Sequence, residues 1–243
     1  MPFPFFLILL FLANCSTQYN LITARLSSSE SLGQGSKSLN AGVMQTKTYR
    51  PTSNLSKVPI TLYDSPPENN LTYFIDYTSG LANSLDINFS VGSNLPLFIA
   101  LKWQIIGEPQ TKMASNTFSA ALKAGAGFTV VADEFQAQDG TKRKYIMSHS
   151  QTEAEFEFGY RPLAPVLIYA GTFRSNFQMG GGFTVGVRDH VAINGTGTGY
   201  FAGSRLLLDP MTLGFSASHI TYESNRFEKQ SDAYLAIDLG LIF

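Results

Sequence analysis

Charged residues are scarce in this sequence. Asp, Glu, Lys and Arg make up 14% of the 243 residues, against about 25% in typical soluble domains. The 17 basic and 18 acidic residues nearly cancel to a net charge of −1, which argues against the basic face that nucleic-acid binding needs. Aromatic residues instead reach 13%, with 19 Phe and 11 Tyr. Few charges and many aromatics together favour a surface that does not face water alone.

Cysteine and histidine are also rare. Cys15 is the only cysteine, so an intrachain disulfide and a cysteine-based metal cluster are both excluded. The three histidines, His149, His190 and His219, lie far apart in the sequence, and we predict no metal and no cofactor. After the N-terminus, no stretch reaches the roughly 18 consecutive apolar residues of a membrane-spanning helix.

The N-terminus carries the longest apolar run. Residues 3–13, FPFFLILLFLA, have the length of the apolar region of a secretory signal peptide and are too short for a stable span. The stretch Leu12-Ala13-Asn14-Cys15 resembles the lipobox of bacterial lipoproteins, with Asn14 where Gly or Ala is usual. The resemblance implies cleavage before Cys15 and attachment of acyl chains such as palmitate to its thiol and new amino group. An ordinary signal peptide with an incidental cysteine is the alternative.

The residue after the cysteine bears on location. Ser16 stands in place of the Asp that retains enterobacterial lipoproteins in the inner membrane, so we expect a lipid-anchored protein of the outer membrane. We predict a signal peptide over 1–14, the lipidated Cys15 and a flexible linker over 15–70, and a β-barrel domain over 71–243. The linker assignment rests on Ser-, Gly- and Pro-rich sequence up to residue 70.

From residue 71 onward, apolar and polar residues alternate. The clearest run is LDINFSVG at 85–92, in which alternate side chains fall on opposite faces of a strand. About ten such runs are predicted, over residues 71–79, 84–92, 96–106, 116–132, 143–161, 164–178, 182–192, 196–208, 211–224 and 231–243. The pattern predicts an all-β protein, an antiparallel barrel of about 8–12 strands.

Short breaks at Ser93-Asn94, Pro162 and Asp209-Pro210 are predicted to be tight turns. They follow the second, fifth and eighth runs, whereas short turns in an up-and-down barrel recur at every second connection. Either one strand is miscounted or the topology is not a plain meander.

Alternation alone does not decide which face meets water, because a soluble barrel hides its apolar face and a membrane barrel turns it to lipid. The polar face here is rich in small residues, which suits a crowded lumen. Trp103, Tyr77, Tyr160, Tyr169 and Tyr222 fall near predicted strand ends, where membrane barrels carry aromatic girdles. We therefore predict a transmembrane barrel with a structural, pore or surface-interaction role. The alternative is a soluble, lipid-anchored barrel that binds an apolar ligand.

Residues 234–243 alternate and end in Phe243. They resemble the C-terminal signal of outer-membrane barrels, which the barrel-assembly machinery reads. The resemblance implies that machinery as a partner during biogenesis, together with membrane lipid.

Charged residues on the polar face are expected to point into the lumen. They are Asp86, Lys102, Lys123, Glu155, Glu157, Arg174, Arg188, Arg205 and Asp238. They could line a selective pore or pair in a packed polar interior. The second arrangement is favoured, because small barrels are filled by their own side chains and buried charges must pair.

One strand gathers a histidine, a hydroxyl and a carboxylate. His219, Thr221 and Glu223 share one face, as a nucleophile, its base and an orienting group must. The stretch faintly resembles the His-x-Ser-Asn motif of outer-membrane lipid A deacylases, with Thr221 in place of Ser and Tyr222 in place of Asn. An acyl hydrolase acting on lipid is therefore a third hypothesis, and no catalytic residue is predicted.

Overall fold

The computed structural model describes residues 19–23, 28–49, 51–54, 61–64, 68–93, 95–112, 114–136, 142–183, 190–226 and 228–243. Within these residues the chain forms thirteen strands and one short 3-10 helix, Gln110–Lys112. The strands are β1 (Tyr19–Thr23), β2 (Lys37–Tyr49), β3 (Pro51–Asn54), β4 (Thr61–Asp64), β5 (Glu68–Ala82), β6 (Leu85–Gly92), β7 (Leu97–Ile106), β8 (Thr117–Gln136), β9 (Lys142–Leu163), β10 (Val166–Phe183), β11 (His190–Leu208), β12 (Met211–Ser224) and β13 (Gln230–Ile242). Among the described residues, no helix has the length and hydropathy needed to cross a bilayer.

Ten strands close into an antiparallel barrel. From β5 to β13 each strand pairs with the next one along the chain, and β2 closes the ring by pairing with β13 on one edge and β5 on the other. Strands β3 and β4 form a separate hairpin in the connection between β2 and β5. The predicted all-β barrel is confirmed.

The connections alternate between the two ends of the barrel. We call the end where β2 begins and β13 finishes the lower end. Three of its four connections are two-residue turns, at 83–84, 164–165 and 209–210, and the fourth, 107–116, carries the 3-10 helix. The upper connections, at 50–67, 93–96, 137–141, 184–189 and 225–229, are each four residues or longer.

This arrangement is a plain meander, and it resolves the irregular spacing of the short breaks. One strand, β2, lies inside the segment predicted to be a linker, so the predicted domain boundary at residue 71 is wrong and the wall begins at Lys37. On β2 the outward residues include the small Ala41 and the inward residues include the apolar Met44. Apolar and polar residues therefore alternate only weakly along this strand. The predicted run over 182–192 covers the end of β10 and the start of β11 and was counted as one strand. This extra run offsets the missed β2, so about ten runs were predicted for a barrel of ten strands.

The lower part of the wall is apolar on the outside. On β7, Leu97, Leu101 and Trp103 are 51–55% exposed, whereas the alternating Lys102 and Gln104 are at most 8% exposed. The ten residues of β7 match the 9–11 residues with which a tilted strand crosses a membrane. The outward apolar residues of this zone, the apolar belt, continue around the barrel at Leu39, Phe89, Leu122, Phe156, Ile168, Phe215 and Ile237.

Above the belt the polarity of the outer face reverses on β10, β11 and β12, whereas the outward Phe128, Val130 and Ile146 of β8 and β9 remain apolar. On β10 the outward residues Arg174, Asn176 and Gln178 are polar and exposed. The inward residues of the same stretch include Phe173 and Phe177, which are buried in the lumen. We call this zone the upper extension; it comprises residues 174–181, 192–198 and 219–224.

Inward glycines of β11 make room for the aromatic rings of the upper lumen. A Cβ on Gly199 would lie 2.9 Å from Phe173 Cε1, and one on Gly195 would meet the Phe177 ring. Because each aromatic ring lies over a glycine of the neighbouring strand, the glycine-rich stretch 195–199 serves packing.

Candidate functional site

The lower lumen is occupied by part of the chain itself. We call residues 28–36, just before β2, the lumen segment; residues 28–33 are buried inside the barrel, whereas Gln34 and Gly35 are exposed. Ser28, Ser29, Glu30, Ser31 and Leu32 are all at most 3% exposed. A Ser-rich stretch of this kind predicts a flexible tether when read locally. Enclosure by the wall instead gives its polar groups partners.

Hydrogen bonds to the wall hold the backbone of the lumen segment. The Ser31 amide donates to Gln104 Oε1 at 2.6 Å, and the Ser31 carbonyl accepts from the Gln110 amide at 2.8 Å. Nearer the lower rim, the Gly35 amide donates to the Gly80 carbonyl, and the Gly80 amide donates to the Ser36 carbonyl, each at 2.9 Å. These bonds give the buried backbone N–H and C=O groups of the lumen segment the hydrogen-bond partners that they need.

Two buried ion-pair groups attach the lumen segment to the barrel. Glu30 pairs with Arg161, with the guanidinium Nε donating to Glu30 Oε1 at 3.1 Å and a second bond from Nη2. Lys102 lies 3.1 Å from the Asp86 carboxylate and donates to the Glu30 carbonyl at 2.7 Å. Asp86 in turn accepts from the Leu32 amide at 3.1 Å. The buried charges therefore pair with one another, and Lys102 and Asp86 also form hydrogen bonds with the backbone of the lumen segment.

Further ion pairs lie deeper in the lumen. Lys123 Nζ is 3.4 Å from Glu155 Oε2, and Arg205 Nη2 is 2.8 Å from Asp238 Oδ2. Asp76 accepts a hydrogen bond from the side chain of Asn88 at 2.5 Å. The acidic and basic groups are interleaved across strands, as a packed polar interior requires.

A small cavity remains between the lumen segment and these pairs. It has a volume of about 40 Å³ and is lined by charged groups that include Asp76, Asp86, Lys102, Lys123 and Arg205. A water needs at least about 10–15 Å³ of such space, so the cavity has room for only a few waters. Through the described residues, the lower lumen is filled rather than open.

The structure describes most of the charges predicted to face the lumen. Lys102, Glu155, Glu157 and Arg205 are buried, and the Lys123 side chain is 17% exposed. The sequence reasoning missed Glu30 and Arg161, because their partnership joins residues 131 positions apart.

Arg174 does not belong to this set, and the prediction that it faces the lumen is wrong. Its side chain is exposed on the outer face of β10, and its neighbours Phe173 and Ser175 point inward. The prediction took the polar face as inward throughout, whereas Arg174 stands where the polarity of the wall has reversed. Arg188, and likewise Cys15, lies outside the described residues.

The expected aromatic girdle is also only partly present. Tyr169 and Tyr222 are buried in the lumen, so their assignment to the girdle is wrong. Trp103 is exposed on the belt. At the lower rim the rings of Phe118 and Tyr160 stack with centroids 4.7 Å apart.

The predicted His219, Thr221 and Glu223 share the outer face of β12 in the upper extension. The His219 ring stacks on Tyr200 with centroids 5.2 Å apart, and the Thr221 hydroxyl shares a 2.7 Å hydrogen bond with Ser231. Thr221 is thus engaged with a second hydroxyl. Among the described residues, no group of three or more His, Cys, Asp or Glu is arranged to hold a metal ion.

No protein-family model and no curated protein matches this chain. Solved structures with a similar course include Ail, the attachment invasion locus protein of Yersinia pestis, in complex with the heparin analogue sucrose octasulfate (12% identity, 86% of this chain and 99% of that chain, TM-score 0.37). Others are the N-terminal β-barrel domain of Pseudomonas aeruginosa OprF (8%, 87% and 99%, TM-score 0.33) and Neisserial surface protein A, NspA (12%, 85% and 94%, TM-score 0.30). All three are outer-membrane β-barrel proteins, and no functional residue is carried over from them.

Proposed function

We propose that this chain is an outer-membrane barrel that stands in lipid by its apolar belt, keeps its lumen closed, and presents the upper extension as a surface for interaction. The observation that carries the proposal is the reversal of outward polarity along β10, β11 and β12. If the whole barrel stood in one solvent, we would expect its outer face to keep the same polarity along its full height.

The apolar belt supports insertion in lipid. Soluble monomers rarely expose a contiguous apolar patch beyond a few hundred Å², whereas the belt encircles the barrel. A soluble barrel would turn Leu97, Ile99 and Leu101 inward, but the inward positions of β7 hold Lys102 and Gln104. The geometry therefore favours the membrane over the soluble, ligand-binding alternative.

The connections support an orientation. Outer-membrane barrels carry their short turns on the periplasmic side and their longer loops outside. The two-residue turns are at the lower end, so the upper extension would project from the outer surface of the cell. Its outer face, with Arg174, Asn176 and Gln178, is polar, as a water-exposed surface should be.

The filled lumen favours surface interaction over a permanently open pore. An ion or solute crossing the lower lumen would have to displace the lumen segment with its buried Glu30–Arg161 pair. A lipid on Cys15 is a separate proposal, supported by the lipobox-like residues 12–15. In a membrane-spanning barrel that lipid would be a second attachment.

Fractionation tests membrane insertion. We expect a Cys15→Ala variant to stay in the membrane pellet after alkaline carbonate washing, and to migrate differently on SDS gels before and after heating. Release of this variant into the soluble fraction, with heat-independent migration, would leave only the lipid-anchored soluble barrel.

Labelling tests the exposed surface. In the Cys15→Ala background, a membrane-impermeant maleimide should label Thr198→Cys on the upper extension in intact cells. The matched control, Asn83→Cys in a lower turn, should be labelled only after permeabilisation. Equal labelling of the lower turn in intact cells contradicts the proposed orientation.

Channel activity is measured separately as single-channel conductance in planar bilayers, where we expect no permanently open state.

A further inference from the structure

Among the side chains that the structure describes, the outer faces of β5–β13 carry one basic residue, Arg174. It is exposed on β10, and its neighbours on the outer face are uncharged. They are Thr172 and Asn176 on the same strand, Ala154 opposite it on β9 and Thr198 opposite it on β11. None of these side chains can neutralise the guanidinium, which is therefore available to an anionic partner outside the barrel.

Arg174 lies near the upper boundary of the apolar belt. It is eight residues from Val166, the lower end of β10, and Tyr200 and His219 are likewise eight residues from the lower ends of β11 and β12. Eight residues span about 26 Å along a strand and about 20 Å in height at a tilt of about 40°. The lipid-facing band of outer-membrane barrels is about 25 Å tall. All three side chains therefore lie close to the level at which lipid headgroups begin.

These three side chains are neighbours on the outer face. Tyr200 lies directly opposite His219, and their rings stack with centroids 5.2 Å apart. Arg174 lies opposite Thr198 and is therefore diagonal to Tyr200, a separation of about 7–8 Å that long side chains bridge. The guanidinium presents a planar fork of N–H donors that matches the oxygens of a phosphate. The Tyr200 hydroxyl and the His219 ring nitrogens add polar groups beside it.

Directly below these side chains the belt has a depression, which we call the alanine trough. It consists of Ala170, Ala202 and Ala217, which lie opposite one another on β10, β11 and β12 and are all exposed. The residues that continue this row on either side are Phe158 and Leu235, which are 49% and 48% exposed. Methyl groups between larger side chains leave a shallow apolar recess in which acyl chains can lie.

The cation above and the hydrocarbon-lined recess below match the two ends of a lipid molecule. We infer that Arg174, Tyr200 and His219 bind the phosphate of an anionic lipid whose acyl chains lie over the alanine trough. Charge complementarity identifies the headgroup, and continuity of the trough with the apolar belt identifies the chains. The belt stands in lipid only under the proposed function, so this assignment rests on it. The lipid would come from the leaflet on the side of the upper extension.

Native mass spectrometry tests the site in the full chain carrying Cys15→Ala, so that no covalently attached lipid is counted. The folded barrel in a neutral detergent is titrated with dimyristoylphosphatidylglycerol. We expect one lipid to bind, and the apparent affinity to fall about 10-fold or more in Arg174→Gln, because charge-assisted hydrogen bonds to the phosphate are lost. Dimyristoylglycerol, which has the same acyl chains and no phosphate, should bind as weakly to the parent barrel as to Arg174→Gln. Equal binding of the phospholipid to both proteins would overturn the inference.

Moving the charge separates a specific site from attraction to net charge. Arg174→Asn/Asn176→Arg keeps the net charge and shifts the guanidinium about 7 Å up β10, away from the stacked rings. We expect this variant to bind the phospholipid as weakly as Arg174→Gln, whereas binding as strong as in the parent barrel would overturn the inference. Ala202→Leu fills the alanine trough without changing any charge and should also weaken binding. Unchanged affinity in Ala202→Leu would refute the trough as the place of the acyl chains.

Insertion of the same proteins into vesicles of dimyristoylphosphatidylcholine separates this inference from the proposed function. Heat-modifiable migration on SDS gels reports insertion, and each variant changes only an exposed residue of the outer face. If the parent barrel and Arg174→Gln both insert and bind dimyristoylphosphatidylglycerol equally, the lipid site is wrong and the membrane barrel stands. If the parent barrel does not insert and stays soluble without detergent, the proposed function fails and the lipid site fails with it.

Discussion

The lower wall and the upper extension carry outer faces of opposite polarity, although they are built from the same strands. On β7, Leu101 points outward and Lys102 inward; on β10, Gln178 points outward and Phe177 inward. The period of the alternation is two in both places, because it comes from strand geometry. Its phase follows the solvent, and under the proposed function the level at which it changes on β10 marks where lipid gives way to water.

The two interiors are stabilised in different ways. The upper lumen contains aromatic and aliphatic side chains such as Phe177, Ile193 and Ile220, whose burial contributes about 25 cal/mol per Å². The lower lumen contains charges that are removed from water and depend on their partners. The lower half should therefore be sensitive to the loss of single polar groups, and the upper half to the loss of volume.

The largest effect is expected from breaking the pair that attaches the lumen segment. Glu30→Gln leaves the buried Arg161 guanidinium without its carboxylate, which should cost about 3–5 kcal/mol. Urea titration of the barrel refolded in lipid vesicles measures the loss. As a control, Glu30→Gln/Arg161→Met should recover most of the stability, since removing both charges of a buried pair is often neutral. No recovery in the double variant would mean that the pair is not an isolated unit.

A deletion of volume in the upper lumen should have a comparable or slightly smaller effect. Phe177→Ala removes a ring that is 1% exposed, and such changes cost about 3–5 kcal/mol. The matched variant Phe156→Ala removes a ring from the belt, where lipid fills the space, so its loss should be clearly smaller in the same titration. Equal losses would contradict the assignment of Phe156 to the lipid face.

A charge placed on the outer face separates the two halves directly. Leu101→Arg, at the centre of β7 on the belt, should destabilise the inserted barrel by about 2–4 kcal/mol, the cost of Arg near the bilayer midplane. Thr198→Arg, on the exposed outer face of the upper extension, should change stability by less than about 0.5 kcal/mol. Both free energies are measured in vesicles, and a similar cost at the two positions would contradict the boundary between the zones.

The smallest effect is expected from an ion pair outside the lumen. Lys112 and Glu108 lie 2.9 Å apart, and their side chains are 60% and 51% exposed. Because water screens such a pair, Lys112→Ala should cost less than about 0.5 kcal/mol and respond to salt. The comparison with Glu30→Gln measures how much the lower lumen is protected from water; a loss at Lys112 as large as at Glu30 would remove that distinction.

Several strands could be predicted from the sequence because apolar and polar residues alternate clearly along them. The predicted runs 96–106 and 211–224 correspond closely to β7 and β12. β2 was missed because small outward residues such as Ala41 weaken its pattern, and Arg174 was misplaced because the phase of the alternation changes above the belt. The lumen segment looked like a linker, since Ser-rich polar sequence carries no local sign of burial.

The alternating strands and the scarcity of charge can be read from the residues alone, because alternation is a local property that each strand carries in its own residues. Three features follow only from the folded barrel: which face of each strand turns outward, the closure of the ring by β2, and the burial of residues 28–33 inside it. These depend on partners far apart in the chain, such as Glu30 and Arg161, 131 positions from each other. A closed wall brings such residues together.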